Sequence, residues 1–203
     1  MIRRIFAALR RRSRRNRYRR VCDILAVESQ PGLILDLGGG PASFFAGMFP
    51  RPGQVVLADI NFEEARRAKR LTPELRVVVA NGERLPFASG SLGATVCNSV
   101  IEHVDHPADL AADIQRVSRR YFVQTPNGRF PLETHSYIAI PFYNLIPWQK
   151  TRRWVCGLFR GSYAYVSSVR YLPESRLATL FPDAVVDYEK AFGLTKSFYI
   201  YRK

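Results

Sequence analysis

The run Leu33-Ile34-Leu35-Asp36-Leu37 ends directly in Gly38-Gly39-Gly40-Pro41, and few architectures can use such a junction. A short, nearly unbroken apolar run reads as a strand buried on both faces, which calls for a parallel sheet with helices on either side. Three glycines at its end let the chain turn sharply and leave main-chain atoms open to close approach by a ligand. The pattern downstream agrees. Strands are predicted over 54–59, 76–80, 94–98 and 121–125, interleaved with helices after the glycine loop, over 61–70 and over 107–119. Asn61 suits an N-cap and Pro107 a first helical turn. A helix is predicted within 143–159 and another over 174–181. Two strands, 184–190 and 196–202, then close the chain around Phe192-Gly193. Alternating strands and helices of this kind define an α/β fold.

Strand, glycine loop and helix form a nucleotide-binding arrangement, and two absences narrow the ligand. A dinucleotide fingerprint needs glycine where Ser43 stands, and a phosphate-binding P-loop needs a Gly-Lys-Ser/Thr that the loop lacks. Asp59 closes the second predicted strand, 19 residues after Gly40. A carboxylate there can accept hydrogen bonds from both hydroxyls of a ribose. A loop without a ligand and an aspartate capping a turn are the plainer alternatives.

Acidic-x-Gly-x-Gly at Asp36, Gly38 and Gly40 resembles the loop of class I S-adenosylmethionine-dependent methyltransferases, with Ala42 in place of their frequent third glycine. The resemblance extends through Asn81-Gly82-Glu83-Arg84-Leu85-Pro86-Phe87, similar to the Asp-Ala-x-x-Leu-Pro-Phe of the "type 11" small-molecule enzymes. It continues in Cys97-Asn98-Ser99-Val100-Ile101-Glu102-His103-Val104 and in Phe192-Gly193-Leu194-Thr195-Lys196-Ser197. It implies a Rossmann-like three-layer sandwich around a seven-stranded, mostly parallel sheet of order 3-2-1-4-5-7-6, strand seven alone being antiparallel. It also implies S-adenosyl-L-methionine as cofactor. The residues implied to hold it are Asp36, Gly38, Gly39, Gly40, Asp59, Ile60, Asn81, Gly82, Glu83, Asn98 and Ser99. Asn81 replaces the usual aspartate, and its amide oxygen can still accept from an exocyclic amine.

Methyl transfer is an in-line displacement at an activated carbon, so the protein mainly aligns the partners, adding a base where the acceptor is a hydroxyl. Histidine suits that base. His103 follows the fourth strand. His135 follows the fifth, in Phe130-Pro131-Leu132-Glu133-Thr134-His135, where Glu133 can orient its ring; His106 precedes Pro107 and reads as a cap. Residues 127–170, with Phe142, Tyr143, Trp148 and Trp154 beside Lys150, Arg152 and Arg153, read as a cap over an acceptor pocket.

Charge sets a second question. The net charge is +14, and residues 1–20 hold ten arginines and no acid, so the remainder is only mildly basic. The domain proper is therefore expected over 21–203, with 1–20 as an arginine-rich extension. Ile2, Ile5, Phe6 and Leu9 fit one face of an amphipathic helix for anionic lipid; a nucleic-acid arm, an organellar presequence and a solvated tail are the alternatives. Cys22, Cys97 and Cys156 form no metal or disulfide pattern, so free thiols, no metal and a cytoplasmic setting, peripheral at a membrane at most, are expected. No apolar run is long enough to span a bilayer. The expected reaction is methyl transfer to an O or N atom of a small-molecule or lipid-linked acceptor, a glycan among them. A nucleic-acid methyltransferase and a non-catalytic cofactor-binding protein are the rivals. The first lacks an Asn-Pro-Pro-Tyr motif, since Asn98 is followed by Ser-Val-Ile; Ala42 and Asn81 keep the second open.

Overall fold

The computed structural model describes residues 2–29, 32–133, 140–141, 146, 148–158 and 169–203. The central sheet contains β1 (Ile34–Leu37), β2 (Val55–Asp59), β3 (Arg76–Val79), β4 (Leu92–Asn98), β5 (Ser118–Pro126), β8 (Val185–Ala191) and β9 (Leu194–Arg202). Its order is β3-β2-β1-β4-β5-β9-β8. Only β9 runs antiparallel to its neighbours, β5 and β8. Counting the sheet's own strands, this is the expected 3-2-1-4-5-7-6. The short strands β6 (Leu132–Glu133) and β7 (Ile140–Pro141) pair with each other as a separate hairpin.

The helices are α1 (Ile2–Leu25), α2 (Phe62–Leu71), α3 (Pro107–Val117), α4 (Gln149–Leu158) and α5 (Glu174–Leu180), and α1, α2, α3 and α5 cover the two faces. Side chains alternate across a strand, which sorts the core into two halves. Leu35, Leu37, Val56, Ala58 and Cys97 join Leu110 and Ile114 of α3 and Leu177 of α5. Ile34, Val55, Leu57, Ala94 and Val96 join Val21 and Leu25 of α1, Phe45, and Ala68 of α2. Asn61 caps α2 as expected, its side chain accepting from the backbone N–H of Glu63 and Glu64. Pro107 opens α3 from a His106 cap position whose side chain makes no capping bond.

Two expectations are corrected. The helix predicted after the glycine loop does not form. Residues 41–49 make successive turns instead, because Pro41, Gly47 and Pro50 leave too little uninterrupted chain. The second concerns the N-terminus. The boundary expected after residue 20 falls inside the continuous helix α1, and the end of the arginine-rich stretch is docked on the sheet. Ser13, Arg17, Val21 and Leu25 recur every four residues, which places them on one face. Arg17, Val21 and Leu25 are buried there, while Arg11, Arg12, Arg15 and Arg19 are exposed. Tyr18 packs on Phe45 with ring centroids 6.0 Å apart.

Like charges oppose packing only where they lack partners, and here partners are supplied. Arg17 Nη2 donates to Glu189 Oε2 at 2.6 Å, and Arg20 donates to Asp187. Arg14 Nη2 donates to the Ala42 carbonyl at 2.6 Å. Lys196 shares Glu189 from the other side, at 2.9 Å. Burial works to raise the Glu189 pKa, but Arg17 and Lys196, with hydrogen bonds from Ser13 and Lys196, outweigh it and hold the carboxyl at about 2.

Arg17→Leu therefore leaves a buried carboxylate with one partner fewer and should cost about 3–5 kcal/mol in urea unfolding. The double variant Arg17→Leu, Glu189→Leu should recover much of that loss. A single variant as stable as the wild type would mean that α1 is not docked.

Candidate functional site

The C-terminal ends of β1, β2, β4 and β5 share one edge of the sheet, and the chain segments that leave them form the candidate site. Asp36 sits in the middle of β1, fully buried. Its Oδ2 accepts from the Ser43 hydroxyl and from the Ala46 backbone N–H, the latter at 3.2 Å. Ser43 Oγ in turn accepts from the backbone N–H of Phe45 and Ala46 at 3.0 Å. Burial pushes the Asp36 carboxyl up to about 6; the bonds from Ser43 and Ala46 oppose the rise and the charge of Asp59 adds to it. The carboxylate that opens the motif thus holds the loop in shape from beneath.

The three glycines are demanded for different reasons. Gly38 has φ +68°, and a Cβ there would stand 2.5 Å from Val100 Cγ2. A Cβ on Gly39 would stand 2.7 Å from the Asp36 carboxylate. Gly40, with φ +55°, is the one that faces outward to the site. Its nearest groups are the carboxylates of Asp59 and Glu64, each 3.8 Å from where a Cβ would be. That gap between a glycine backbone and two carboxylate oxygens is a cradle any side chain would fill.

Asp59 uses Oδ1 to accept from the Asn61 backbone N–H at 2.9 Å, and its Oδ2 is the atom toward Gly40. Beside it, Ile60 leaves 70% of its surface exposed, an apolar platform at the lip of the cradle. The Ala80 N–H donates to the Asp59 carbonyl at 3.0 Å and so joins the next loop to this one. Asn81 is exposed, and its Oδ1 accepts from the Glu83 N–H at 2.9 Å. Gly82 turns inward, where a Cβ would stand 2.7 Å from Leu110 Cδ1. Glu83 Oε1 accepts from the His106 N–H at 2.8 Å. Gly82 and Glu83 therefore shape and anchor the turn that presents Asn81.

At the end of β4, Asn98 Oδ1 accepts from Arg17 Nη1 at 2.7 Å. Ser99 takes a left-handed φ of +56° and donates Oγ to Gln124 Oε1 at 2.8 Å. The same Gln124 oxygen accepts from Arg17 at 3.2 Å. His103 lies half-buried in the turn after β4, its N–H donating to the Val100 carbonyl. Glu133 lies in β6, and His135, Phe142 and Tyr143 lie outside the described residues. Among the described residues no group of His, Cys, Asp and Glu could hold a metal ion, and no helix is long and apolar enough to cross a membrane. Cys22 and Cys97 are free thiols.

The sheet edge thus brings together the glycine loop, Asp59, Ile60, 81–83, Asn98 and Ser99. Residues missed from the sequence are Arg17, Ser43, Gln124 and Glu189. The four-residue spacing of Ser13, Arg17, Val21 and Leu25 was the available signal for Arg17; nothing local marks the other three.

The sheet order with a single antiparallel strand is that of the Rossmann-like methyltransferase fold. Residues 35–121 match the family model described as a methyltransferase domain. The chain is 38% identical over 97 residues to an uncharacterized methyltransferase of Mycobacterium sp. strain JLS, across 46% of this chain and 38% of that protein. It therefore spans about two fifths of that relative's length. Among solved structures, a SAM-dependent methyltransferase from Thermotoga maritima superposes with TM-score 0.59 at 13% identity, over 98% of this chain and 95% of that one. The geranyl diphosphate C-methyltransferase of Streptomyces coelicolor, solved with Mg2+, geranyl diphosphate and S-adenosyl-L-homocysteine, gives 0.59 at 16% identity over 92% and 78%. Residues 35–121 are thus similar to a methyltransferase domain, and the chain shares the fold of these enzymes.

The buried carboxyl of Asp36 makes a pH-dependent prediction. Its folded pKa stands above the ordinary value, so folding retains a proton. Its stabilising contribution is complete below about pH 4 and is lost as pH rises through about 6. Asp36→Asn removes that dependence, so unfolding free energies should shift in the variant's favour by about 2–3 kcal/mol between pH 4 and pH 7. A constant difference across that range would contradict a buried, proton-retaining carboxyl.

Proposed function

We propose that this chain transfers a methyl group from S-adenosyl-L-methionine to an O or N atom of a small-molecule or lipid-linked acceptor, glycan-bearing acceptors included. The observation that carries the reading is the cradle between Gly40 and the carboxylates of Asp59 and Glu64, on the edge where a matched methyltransferase segment ends its strands. The fit is chemical as well as spatial. A carboxylate at the end of β2 suits the two hydroxyls of a ribose, the exposed Ile60 suits the face of a purine ring, and Asn81 suits its exocyclic amine. When bound, the donor supplies a sulfonium methyl group that needs no further activation.

The chain's own residues then have three tasks. Asp36 fixes the loop from below while Gly38, Gly39 and Gly40 give the backbone room. Asp59, Ile60 and the turn of Asn81, Gly82 and Glu83 orient the adenosyl part; Asn98 and Ser99 border the reacting end. Residues 127–170 exclude water from the acceptor, with His135 taking a hydroxyl proton, Glu133 orienting it, and His103 as the second candidate base. That cap assignment rests on position: it leaves β5 at the site edge and returns there, where the Arg170 N–H donates to the Glu102 carbonyl at 2.8 Å. The exposed arginines of α1 meet an anionic surface.

Purified protein should bind S-adenosylhomocysteine with micromolar-range affinity by calorimetry. Gly40→Val should abolish binding, and Asp59→Ala should weaken it by about 1–3 kcal/mol. No heat at millimolar ligand would end this reading. His135→Ala should lower turnover by about a hundredfold or more for a hydroxyl acceptor while leaving cofactor affinity unchanged. Wild-type turnover in that variant would remove His135 as the base.

A further inference from the structure

The arginines that α1 does not spend on the protein stand beside an exposed apolar tip at the same sheet edge as the donor cradle. Along α1, Arg20 meets Asp187, and Arg17 and Ser13 both meet Glu189. Helix and strand β8 therefore run side by side in opposite directions. Past Glu189, β8 ends at Ala191 and turns through Phe192-Gly193 into β9. Past Ser13 in the other direction, α1 continues to Ile2, a further ~16 Å at 1.5 Å per residue. The first turns of α1 and the β8–β9 turn thus leave the body together, on the edge that carries the ends of β1, β4 and β5.

The chemistry of this edge is two-part. Arg11, Arg12, Arg15 and Arg19 are exposed, and residues 1–22 contain no acid. Phe192 is 85% exposed with Leu194 at 52%. The segment that leaves β5 and returns at Arg170 carries Trp148 and Trp154, 70% and 66% exposed. Phe192 and Leu194 make one exposed apolar turn, and in the sequence Trp148 and Trp154 are interleaved with Lys150, Arg152 and Arg153; adjoining exposed apolar groups with polar neighbours mark interaction sites. Indole and phenyl rings beside arginines are the composition of a membrane–water interface, where the cations meet anionic headgroups and the rings enter the acyl boundary.

We propose that this edge docks on an anionic lipid bilayer, with α1 supplying the charge and the Phe192 turn and the two tryptophans the apolar insertion. Docking in this pose turns the donor cradle toward the bilayer, so the acceptor is a polar group on a molecule held in the membrane; this second clause rests on the methyltransferase reading above. Nucleic acid would satisfy the arginines but gives the Leu194 side chain no role.

The chain has only two tryptophans, so its indole fluorescence reports those positions alone. Full-length protein is titrated with vesicles of phosphatidylcholine, with and without phosphatidylglycerol. Binding is expected only to the anionic vesicles, weakening steeply with salt, with a blue-shifted tryptophan emission quenched by brominated acyl chains. Replacing these four arginines together (Arg11→Glu, Arg12→Glu, Arg15→Glu and Arg19→Glu) should reduce that binding by about a hundredfold or more. Phe192→Ser should weaken it by about tenfold. Binding without any tryptophan shift, charge-reversed protein that binds like the wild type, or preference for single-stranded RNA over the vesicles would overturn the proposal. Calorimetry with S-adenosylhomocysteine on the same proteins separates the two readings. Vesicle binding without cofactor binding would sink the enzyme assignment and leave the docking face standing; cofactor binding without vesicle binding would do the reverse.

Discussion

Arg17 enters the protein from the middle of an arginine-rich helix and finds three side chains that no local pattern assembles: Asn98 from β4, Gln124 from β5 and Glu189 from β8. A buried guanidinium is costly unless its donors are met and its charge is balanced. Glu189 balances it, and Lys196 and Ser13 complete the carboxylate's own requirements. One clamp therefore fixes three things at once. It sets the height of α1 on the sheet, joins the last two strands to the first five, and holds Asn98 at the lip of the candidate site. With it in place, Val21 and Leu25 can be buried against Val96 and Phe122 without exposing the opposite, arginine-bearing face to the interior.

A second buried carboxylate works by the opposite means. Asp36 meets no cation among its hydrogen-bond partners; it is met by a hydroxyl and a backbone amide. Burial consequently raises its pKa, whereas Glu189, flanked by cations, is driven down. The placement suits the function proposed for each. A permanently charged Glu189 keeps the helix attached across ordinary pH. Asp36, raised to about 6 by burial, gives up its proton just below neutral pH, beneath a loop that also accommodates Asp59 and Glu64 close by.

Much of the fold was legible because periodicity and turn chemistry are local. The strand sequence, the Asn61 cap, Pro107 at the start of α3 and the tight turn at Phe192 all follow from residues within a few positions of one another. The glycine loop and Asp59 were legible as a pair, since their spacing depends on one strand–turn–strand unit. The missing helix after Gly40 shows where local reasoning fails. Ser43 looked like the wrong residue for a dinucleotide loop, but its hydroxyl joins Asp36 to the turn that replaces the helix. The resemblance implies that Asn81 and Glu83 contact the ligand; in the structure their side chains serve the turn itself, through the Glu83 and His106 amides. That structural use cannot be read from residue type, because it depends on which backbone groups the turn leaves unpaired. The N-terminus is the clearest case. Its charge suggested a separable tail, and the partners that neutralise it lie more than 160 residues away.

That distance also explains why the basic helix and the edge of the candidate site belong to one design and not two. A tail joined by a flexible linker could bring the protein to a surface in any orientation. A helix clamped at Ser13, Arg17 and Arg20 cannot, since its axis is fixed relative to β8 and hence to every strand end on that edge. Charge on its outer face then becomes orientation of the site, with no additional module required. For the methyl transfer we propose, the same rigidity limits acceptors. A group presented from a surface at this edge must reach the gap beside Gly40. An extended, tethered acceptor meets that demand more readily than a compact solute, because only one end of it has to enter while the rest remains where the arginines hold the protein.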